Sequence, residues 1–119
     1  MKNKKLLLYT DGGSRGNPGP SGIGVVILDS RRKKIKEASR YIGEATNNVA
    51  EYTALVCGLE EAAALNADEV VIYMDSELLA RQLSGEYRVK DEDMKALFKN
   101  YDTTSLTDLR ILVTIAPPI

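Results

Sequence analysis

Three carboxylates lie at positions from which acidic side chains can take part in chemistry. Asp11 follows the apolar run of residues 5–10, and Asp75 follows the apolar run of residues 69–74. The sequence places Glu51 in the first turn of a segment with helical periodicity. Hard divalent cations prefer clustered carboxylate oxygens, and Mg²⁺ takes one or two of them while keeping water or phosphate oxygens at its other positions. Two such ions can activate water and stabilise a leaving oxygen in phosphodiester cleavage. A convergence of the three acids would therefore form a metal site.

Each carboxylate also has a purely structural interpretation. Glu51 lies three residues after Asn48 and can act as the return partner of a capping box. At 100° per residue, however, Glu51 shares its helix face with Leu55, Gly58 and Ala62. A carboxylate on a packed face is costly unless it is paired or metal-bound, which favours a functional role. Taken alone, Asp11 can start a turn and Asp75 can precede a helix cap. Their matching positions after two strands favour a shared site.

The composition excludes several classes of catalyst. Histidine is absent from the 119 residues, and cysteine occurs once, as Cys57. These counts exclude Ser-His-Asp and Cys-His nucleophiles, histidine acid–base catalysis and histidine-ligated zinc. A lone cysteine forms no internal disulfide and agrees with a reducing compartment. No apolar run is long enough for a membrane span or a secretion signal. We therefore expect a single cytoplasmic domain covering residues 1–119, with any chemistry carried by carboxylates.

The formal net charge of −1 hides an uneven distribution along the chain. Residues 1–50 contain ten Lys or Arg and four Asp or Glu, whereas residues 51–119 contain six and thirteen. One interpretation is a basic surface beside an acidic one, and the other is ordinary solvated faces. Charge alone therefore neither supports nor excludes a nucleic-acid partner.

The hydrophobic pattern predicts an α/β domain with the element order β-β-β-α-β-α-α-β. Apolar and β-branched runs predict five strands, at residues 5–10, 24–28, 35–42, 69–74 and 109–115. Residues 48–66 form the longest predicted helix, and its apolar arc contains Tyr52, Leu55, Val56, Leu59, Ala62 and Ala63. Two shorter helices are predicted at residues 76–83 and 91–101. This order requires a mixed five-stranded sheet with helices packed on it. Sites in such sheets gather at the carboxyl ends of adjacent strands, where Asp11 and Asp75 are expected.

A glycine-rich segment, residues 12–22, follows Asp11. It lacks Gly-Lys-Ser/Thr and is followed by a strand, so it fits neither a P-loop nor a dinucleotide fingerprint. One interpretation is a wide turn between two strands. The other is a flexible backbone that closely approaches a sugar-phosphate chain, because glycine has no side chain.

Three segments in this order resemble the successive motifs of type 1 ribonuclease H. They are Tyr9-Thr10-Asp11-Gly12-Gly13-Ser14-Arg15-Gly16-Asn17-Pro18-Gly19-Pro20, Thr46-Asn47-Asn48-Val49-Ala50-Glu51-Tyr52-Thr53-Ala54-Leu55 and Met74-Asp75-Ser76. The resemblance runs from about Lys5 to Phe98 and includes the predicted strand order. The inserted basic helix of some longer members is absent, so the chain is similar to the short prokaryotic form.

The resemblance implies hydrolysis of the RNA strand of RNA–DNA hybrids by a Mg²⁺- or Mn²⁺-dependent endonuclease that leaves 5′-phosphate and 3′-hydroxyl ends. Asp11, Glu51 and Asp75 match three of the four metal-binding carboxylates of the family, which hold two ions with substrate. Family matching assigns contacts with RNA 2′-hydroxyls to Gly12, Gly13, Ser14, Asn17, Asn47 and Asn48. Such hydroxyls distinguish RNA from DNA. Thr46 would help to bind a DNA phosphate, and Arg81 and Gln82 would add polar contacts.

The chain departs from the family pattern after residues 109–115, because no segment matches the final helix that carries the fourth aspartate. The resemblance then implies weaker metal binding and reduced activity. The alternatives are a weak or inactive hybrid-binding domain and an oligomerising scaffold. The departure would leave part of one sheet face uncovered, and exposed apolar surface commonly marks an association site. A homodimer through that face, strand exchange and a natural truncation of a longer ancestor are the three alternatives, and the sequence does not choose among them.

Overall fold

The computed structural model describes residues 4–74, 85–88 and 109–115. Within these residues the chain forms one α-helix and six strands. They are β1 (Lys5–Ser14), β2 (Gly19–Asp29), β3 (Lys34–Ala45), α1 (Asn47–Ala64), β4 (Glu69–Met74), β5 (Gly85–Arg88) and β6 (Arg110–Ile115). The strands form one mixed sheet in the order β3-β2-β1-β4-β6-β5.

The first three strands form an antiparallel meander. β1 pairs with β2 from Leu6 to Ser14, so only residues 15–18 remain in the turn between them. The β2–β3 turn is closed by Asp29, whose Oδ1 accepts the backbone N–H groups of Arg31 and Lys33, each at 2.9 Å. Asp at this position stabilises a turn by such side-chain hydrogen bonds. The sequence Asp29-Ser30-Arg31-Arg32-Lys33 predicts a hairpin turn between two strands, and the structure confirms it.

The helix α1 begins one residue before its predicted start. Thr46 is the N-cap, and its hydroxyl accepts the N–H group of Val49 at 3.2 Å. Because α1 starts at Asn47, Glu51 lies in the second turn rather than the first. The capping-box interpretation of Glu51 is wrong, since it requires Asn48 at the N-cap.

One face of α1 packs on β1 and β2 and forms the hydrophobic core with the sheet. The predicted apolar arc is confirmed for Leu55, Val56, Leu59 and Ala62, each at most 2% exposed. Tyr52, which the sequence placed on this arc, is 36% exposed. Ala63 is only partly buried, although it packs against the core.

The strands β1, β4 and β6 run parallel to one another and form the centre of the sheet. β4 is buried on both faces, since Val70, Val71 and Ile72 are at most 5% exposed. A continuous apolar run is typical of a parallel strand covered on both sides. This central ladder fixes the relative positions of β1, which contains Asp11, and β4, which directly precedes Asp75 in the sequence.

The five predicted strands, the long helix and the mixed-sheet architecture are confirmed, and the structure adds the short strand β5. The prediction of a wide turn at residues 12–22 is wrong, because Gly12 to Ser14 and Gly19 onwards pair within the sheet. The two predicted short helices, at residues 76–83 and 91–101, lie outside the described residues. In the described part of the chain, no helix has the length and apolar character needed to span a membrane.

Candidate functional site

Asp11 lies inside β1 rather than at its end, which corrects the predicted strand boundary. It pairs with Gly24 in the antiparallel ladder, and β1 continues for three more residues. On its other side, β1 pairs in parallel with β4, and Thr10↔Met74 is the last pair among the described residues. Asp11 directly follows this pair, towards the carboxyl end of the parallel strands, where α/β sheets place ligands.

Gly12 allows the backbones of β1 and α1 to come very close. A Cβ atom on Gly12 would lie 2.3 Å from the carbonyl oxygen of Ala50 and 2.7 Å from the backbone nitrogen of Glu51. Any side chain at Gly12 would therefore displace the helix. This approach brings the backbone of β1 next to Asp11 close to the backbone of α1 at Glu51, although forty residues of sequence separate the two acids.

Both carboxylates are accessible to a ligand. Asp11 is exposed and Glu51 is half-buried. Within the described residues, neither side chain forms a hydrogen bond or an ion pair. By contrast, Glu61 of the same helix pairs with Lys36. Two carboxylates that approach each other repel, and a cation bound between them removes this repulsion. Asp11 and Glu51, which have no protein partner among the described residues, can therefore bind a cation.

The third predicted acid, Asp75, lies outside the described residues, as do Arg81 and Gln82. In the described part of the chain, no group of three or more His, Cys, Asp or Glu side chains is placed to hold a metal ion. That part contains two of the three predicted acids. The meeting of Asp75 with Asp11 and Glu51 therefore stays a prediction.

A pair of stacked tyrosines connects β1 and β4 near the two aspartates in the sequence. Tyr9 and Tyr73 are register partners on β1 and β4, two residues before Asp11 and Asp75 in the sequence. Their rings stack with centroids 4.8 Å apart and an interplanar angle of 20°. Arg32 donates a hydrogen bond to the Tyr9 hydroxyl at 2.9 Å. Aromatic cross-strand pairs stabilise a sheet, so this stack holds β1 and β4 in register next to the site.

Two predicted nucleic-acid contacts, Asn17 and Asn47, connect the β1–β2 turn to α1. The Asn17 Oδ1 accepts the backbone N–H of Asn47 at 3.0 Å, and the Asn47 Oδ1 accepts the backbone N–H of Ser14 at 2.9 Å. Both side chains are exposed, and their Nδ2 groups donate to no atom of the described residues. The carboxamide oxygens thus orient the amides, and the two NH₂ groups remain available as donors.

Two hydroxyls hold the same turn against the end of β3. Ser14 and Ser21 both donate to the carbonyl oxygen of Ala45, at 3.0 and 3.1 Å. Ser21, which sequence reasoning missed, is 3% exposed and so acts within the protein. Thr46 follows directly and caps α1. The turn, β3 and α1 therefore form one connected unit in which the predicted residues Gly13, Asn48 and Thr46 remain at least partly accessible.

The single cysteine of the chain, Cys57, is not suited to nucleophilic catalysis. Burial raises the pKa of its thiol, and the nearby Arg40 lowers that pKa only in part. The thiolate is the reactive form of cysteine, so a raised pKa keeps Cys57 inert at neutral pH. Carboxylates remain the groups with accessible chemistry.

The sheet order, with α1 packed across β1 and an acid on each, defines a ribonuclease H-like domain. The family described as Reverse transcriptase-like matches residues 9–114, and the chain belongs to this family. Similarity to a protein named Ribonuclease HI and to a solved RNase H domain confirms the resemblance to type 1 ribonuclease H.

Two curated proteins illustrate the similarity. The chain is 39% identical over 110 residues to Ribonuclease HI of Halobacterium salinarum, covering 87% of this chain and 55% of that protein. It is 45% identical over 95 residues to the Bifunctional protein Rv2228c of Mycobacterium tuberculosis, covering 79% of this chain and 26% of that protein. The chain therefore spans between about a quarter and about half of the length of these curated relatives.

Two solved structures share the fold. The N-terminal RNase H domain of rv2228c, fused to maltose binding protein, is similar with a TM-score of 0.75 and 39% identity, covering 97% of this chain and 88% of that one. LC11-RNase H1 in complex with RNA/DNA hybrid is similar with a TM-score of 0.70 and 44% identity, covering 93% and 85%. The second structure shows a related domain with a hybrid bound.

Proposed function

We propose that the protein is a metal-dependent endonuclease that hydrolyses the RNA strand of RNA–DNA hybrids. The observation that carries the proposal is the close approach of the β1 and α1 backbones at Gly12, between the accessible acids Asp11 and Glu51. Family membership and the hybrid-bound relative support the choice of substrate.

Asp11 and Glu51, together with Asp75, would hold Mg²⁺ or Mn²⁺, two ions being expected with substrate. The donor set fits, because hard cations prefer carboxylate oxygens and the described pair has no competing protein cation. When bound, the ions would supply an activated water and stabilise the leaving oxygen. The contribution of the protein is to position the backbones before substrate arrives, since Gly12 sets the approach of β1 to α1 and the Tyr9–Tyr73 stack holds β1 and β4 in register.

Selection of a hybrid would come from the turn that follows Asp11. The oriented Nδ2 groups of Asn17 and Asn47 can donate to the 2′-hydroxyl oxygens of an RNA strand. Gly12 and Gly13 would offer backbone groups to the same strand, and Ser14, whose N–H is bound by Asn47, would lie beside it. Thr46 would donate its hydroxyl hydrogen to a DNA phosphate while its oxygen caps α1, and Asn48, Arg81 and Gln82 would add contacts.

The test is cleavage of a hybrid whose RNA strand is labelled, with Mg²⁺ and with Mn²⁺. We expect cleavage of RNA in the hybrid but not of the DNA strand. Asp11→Asn and Glu51→Gln should each reduce the rate at least about 100-fold, because each removes a charged metal ligand. The matched control is Glu60→Gln, which neutralises an exposed acid of the same helix. Hybrid binding without cleavage at any metal concentration would favour the inactive hybrid-binding domain instead.

Three further expectations stay predictions. Reduced activity relative to relatives that carry a fourth aspartate is tested by comparing their turnover numbers. A homodimer is tested by light scattering of the purified chain, and cytoplasmic location by fractionation of cells. None of these outcomes changes the assignment of Asp11 and Glu51.

A further inference from the structure

The face of the sheet opposite α1 carries a groove that begins at Asp11. In β1, Leu8 and Gly12 contact α1, so the alternate residues Asp11 and Gly13 face away from the helix. Their register partners on β2 are Gly24 and Gly22. The groove has a volume of about 870 Å³ and extends across β2 to β3.

Three glycines form the floor of this groove. The β2–β3 ladder shifts register between Ser21 and Gly22, whereas nothing inside the described chain requires glycine at Gly13 and Gly24. None of Gly13, Gly22 and Gly24 has a positive φ. A Cβ on Gly13 or Gly24 would meet no described atom within 4 Å, and one on Gly22 would make an ordinary contact at 3.5 Å. Glycine is depleted from strands, and one reason for its presence there is the close approach of a ligand or another backbone.

The walls of the groove carry groups that suit a nucleic-acid strand. Tyr41 lies on β3 as the register partner of Gly22, and it is 68% exposed. Arg15 lies at the β1 end of the groove, is exposed, and forms no side-chain hydrogen bond or ion pair with the described residues. An exposed ring on which bases stack, next to a cation for phosphates, is the usual arrangement in proteins that bind single strands.

We propose that this glycine groove binds a single-stranded extension of the RNA strand as it leaves Asp11. The inference rests on the proposed function, because the strand that passes Asp11 would be the RNA strand. Two interstrand spacings separate β1 from β3, about 10 Å, so a strand crossing the groove would bring a base to Tyr41. Its phosphates would lie near Arg15, and the glycine floor would admit its backbone.

The experiment compares the affinities of four ligands for the full chain carrying Glu51→Gln, which should bind without cleavage. The ligands are a short blunt hybrid, the same hybrid with a 5′ RNA extension, with a 3′ RNA extension, and with a DNA-strand extension. Binding is measured by fluorescence anisotropy. We expect one of the two RNA extensions to tighten binding about tenfold, the gain typical of one stacked base. The DNA extension should give no such gain.

Two variants locate the effect. Tyr41→Ala removes the ring, and Gly24→Val adds a side chain to the floor at a position where a Cβ meets no described atom and φ is not positive, so its melting temperature should not fall. Each should abolish the preference for the RNA extension and leave the affinity for the blunt hybrid unchanged. The control is Ile35→Ala, which removes a 46% exposed side chain of β3 outside the groove.

Equal affinity for blunt and extended hybrids overturns the proposal, as does a preference that survives both variants. The molecular mass of the Gly24→Val variant is measured by light scattering. A change of mass together with an unchanged preference for the RNA extension would show that a second copy of the chain occupies the groove, and this result would also overturn the proposal. Cleavage of the blunt hybrid by the unmodified chain is measured separately. Loss of that activity would reject the proposed function, whereas its presence without an extension effect would reject only the groove.

Discussion

Gly12 lies where β1 passes α1, and its missing side chain sets the distance between the two elements. A Cβ there would overlap the carbonyl group of Ala50, with a contact of 2.3 Å to the oxygen. Its neighbour Gly13 faces open space on the other side of the sheet. The same residue type thus has two different roles at adjacent positions, which no sequence pattern distinguishes.

This contrast gives a prediction for a pair of matched variants. Gly12→Ala should destabilise the fold by about 1–3 kcal/mol, because the added methyl group overpacks the β1–α1 contact. It should also slow RNA cleavage about 100-fold, since a small displacement of Glu51 relative to Asp11 misplaces the reacting groups. Gly13→Ala should leave the free energy of unfolding unchanged or slightly raised. Urea denaturation of both variants checks this, and equal stabilities would contradict the role given to Gly12.

The site could be predicted from the sequence in its residue types but not in its internal contacts. Asp11 and Glu51 were predicted from a strand end and a helix face, and the structure brings the backbones of their two elements together at Gly12. Asn17 and Asn47 were predicted as nucleic-acid contacts, whereas their bonds to the protein backbone were not. Hydrogen bonds between segments thirty residues apart depend on the folded geometry, which local sequence does not contain. For Gly22 and Gly24, the available signal was their alternate spacing within a strand.

Among the elements, α1 depends on its first turn. Thr46→Ala should lower the free energy of unfolding by about 1 kcal/mol, because the N–H group of Val49 loses its acceptor, and Thr46→Ser should restore it. The control is Thr53→Ala in the same helix, whose hydroxyl donates to the carbonyl oxygen of Val49 at 2.6 Å. Such a bond within a helix adds little stability, so this variant should be neutral. A Thr46→Ala chain as stable as the unmodified one would contradict the capping role.

Element boundaries were predicted less well than elements. The strand β1 was expected to end at Thr10 because glycines follow, but the glycines allow pairing to continue to Ser14. Tyr52 was placed on the apolar arc of α1 by its spacing, yet it is 36% exposed. The four-residue β5 is too short to give a periodic pattern, and its pairing with β6 supplies its stability. In each case tertiary contacts decide what local preference leaves open.

At the scale of the whole molecule, the uneven charge predicts how hybrid affinity depends on salt. Affinity should fall at least about tenfold between 50 and 200 mM salt, because bound phosphates release counterions. Arg15→Ala should reduce the slope by about one, since Arg15 lies beside the site. The matched control, Arg31→Ala, changes an exposed arginine in the β2–β3 turn, about 20 Å from Asp11 along the sheet. Its slope should stay unchanged, and a flat salt response of the unmodified chain would contradict a nucleic-acid ligand.

The central claim is that Asp11 and Glu51 bind a common cation, and the most direct measurement is anomalous diffraction from crystals grown with Mn²⁺. The account predicts an anomalous peak bonded to a carboxylate oxygen of Asp11 and to one of Glu51, and its loss in Asp11→Asn. A peak on other residues, or no peak beside these two side chains at a Mn²⁺ concentration that supports cleavage, would contradict the account.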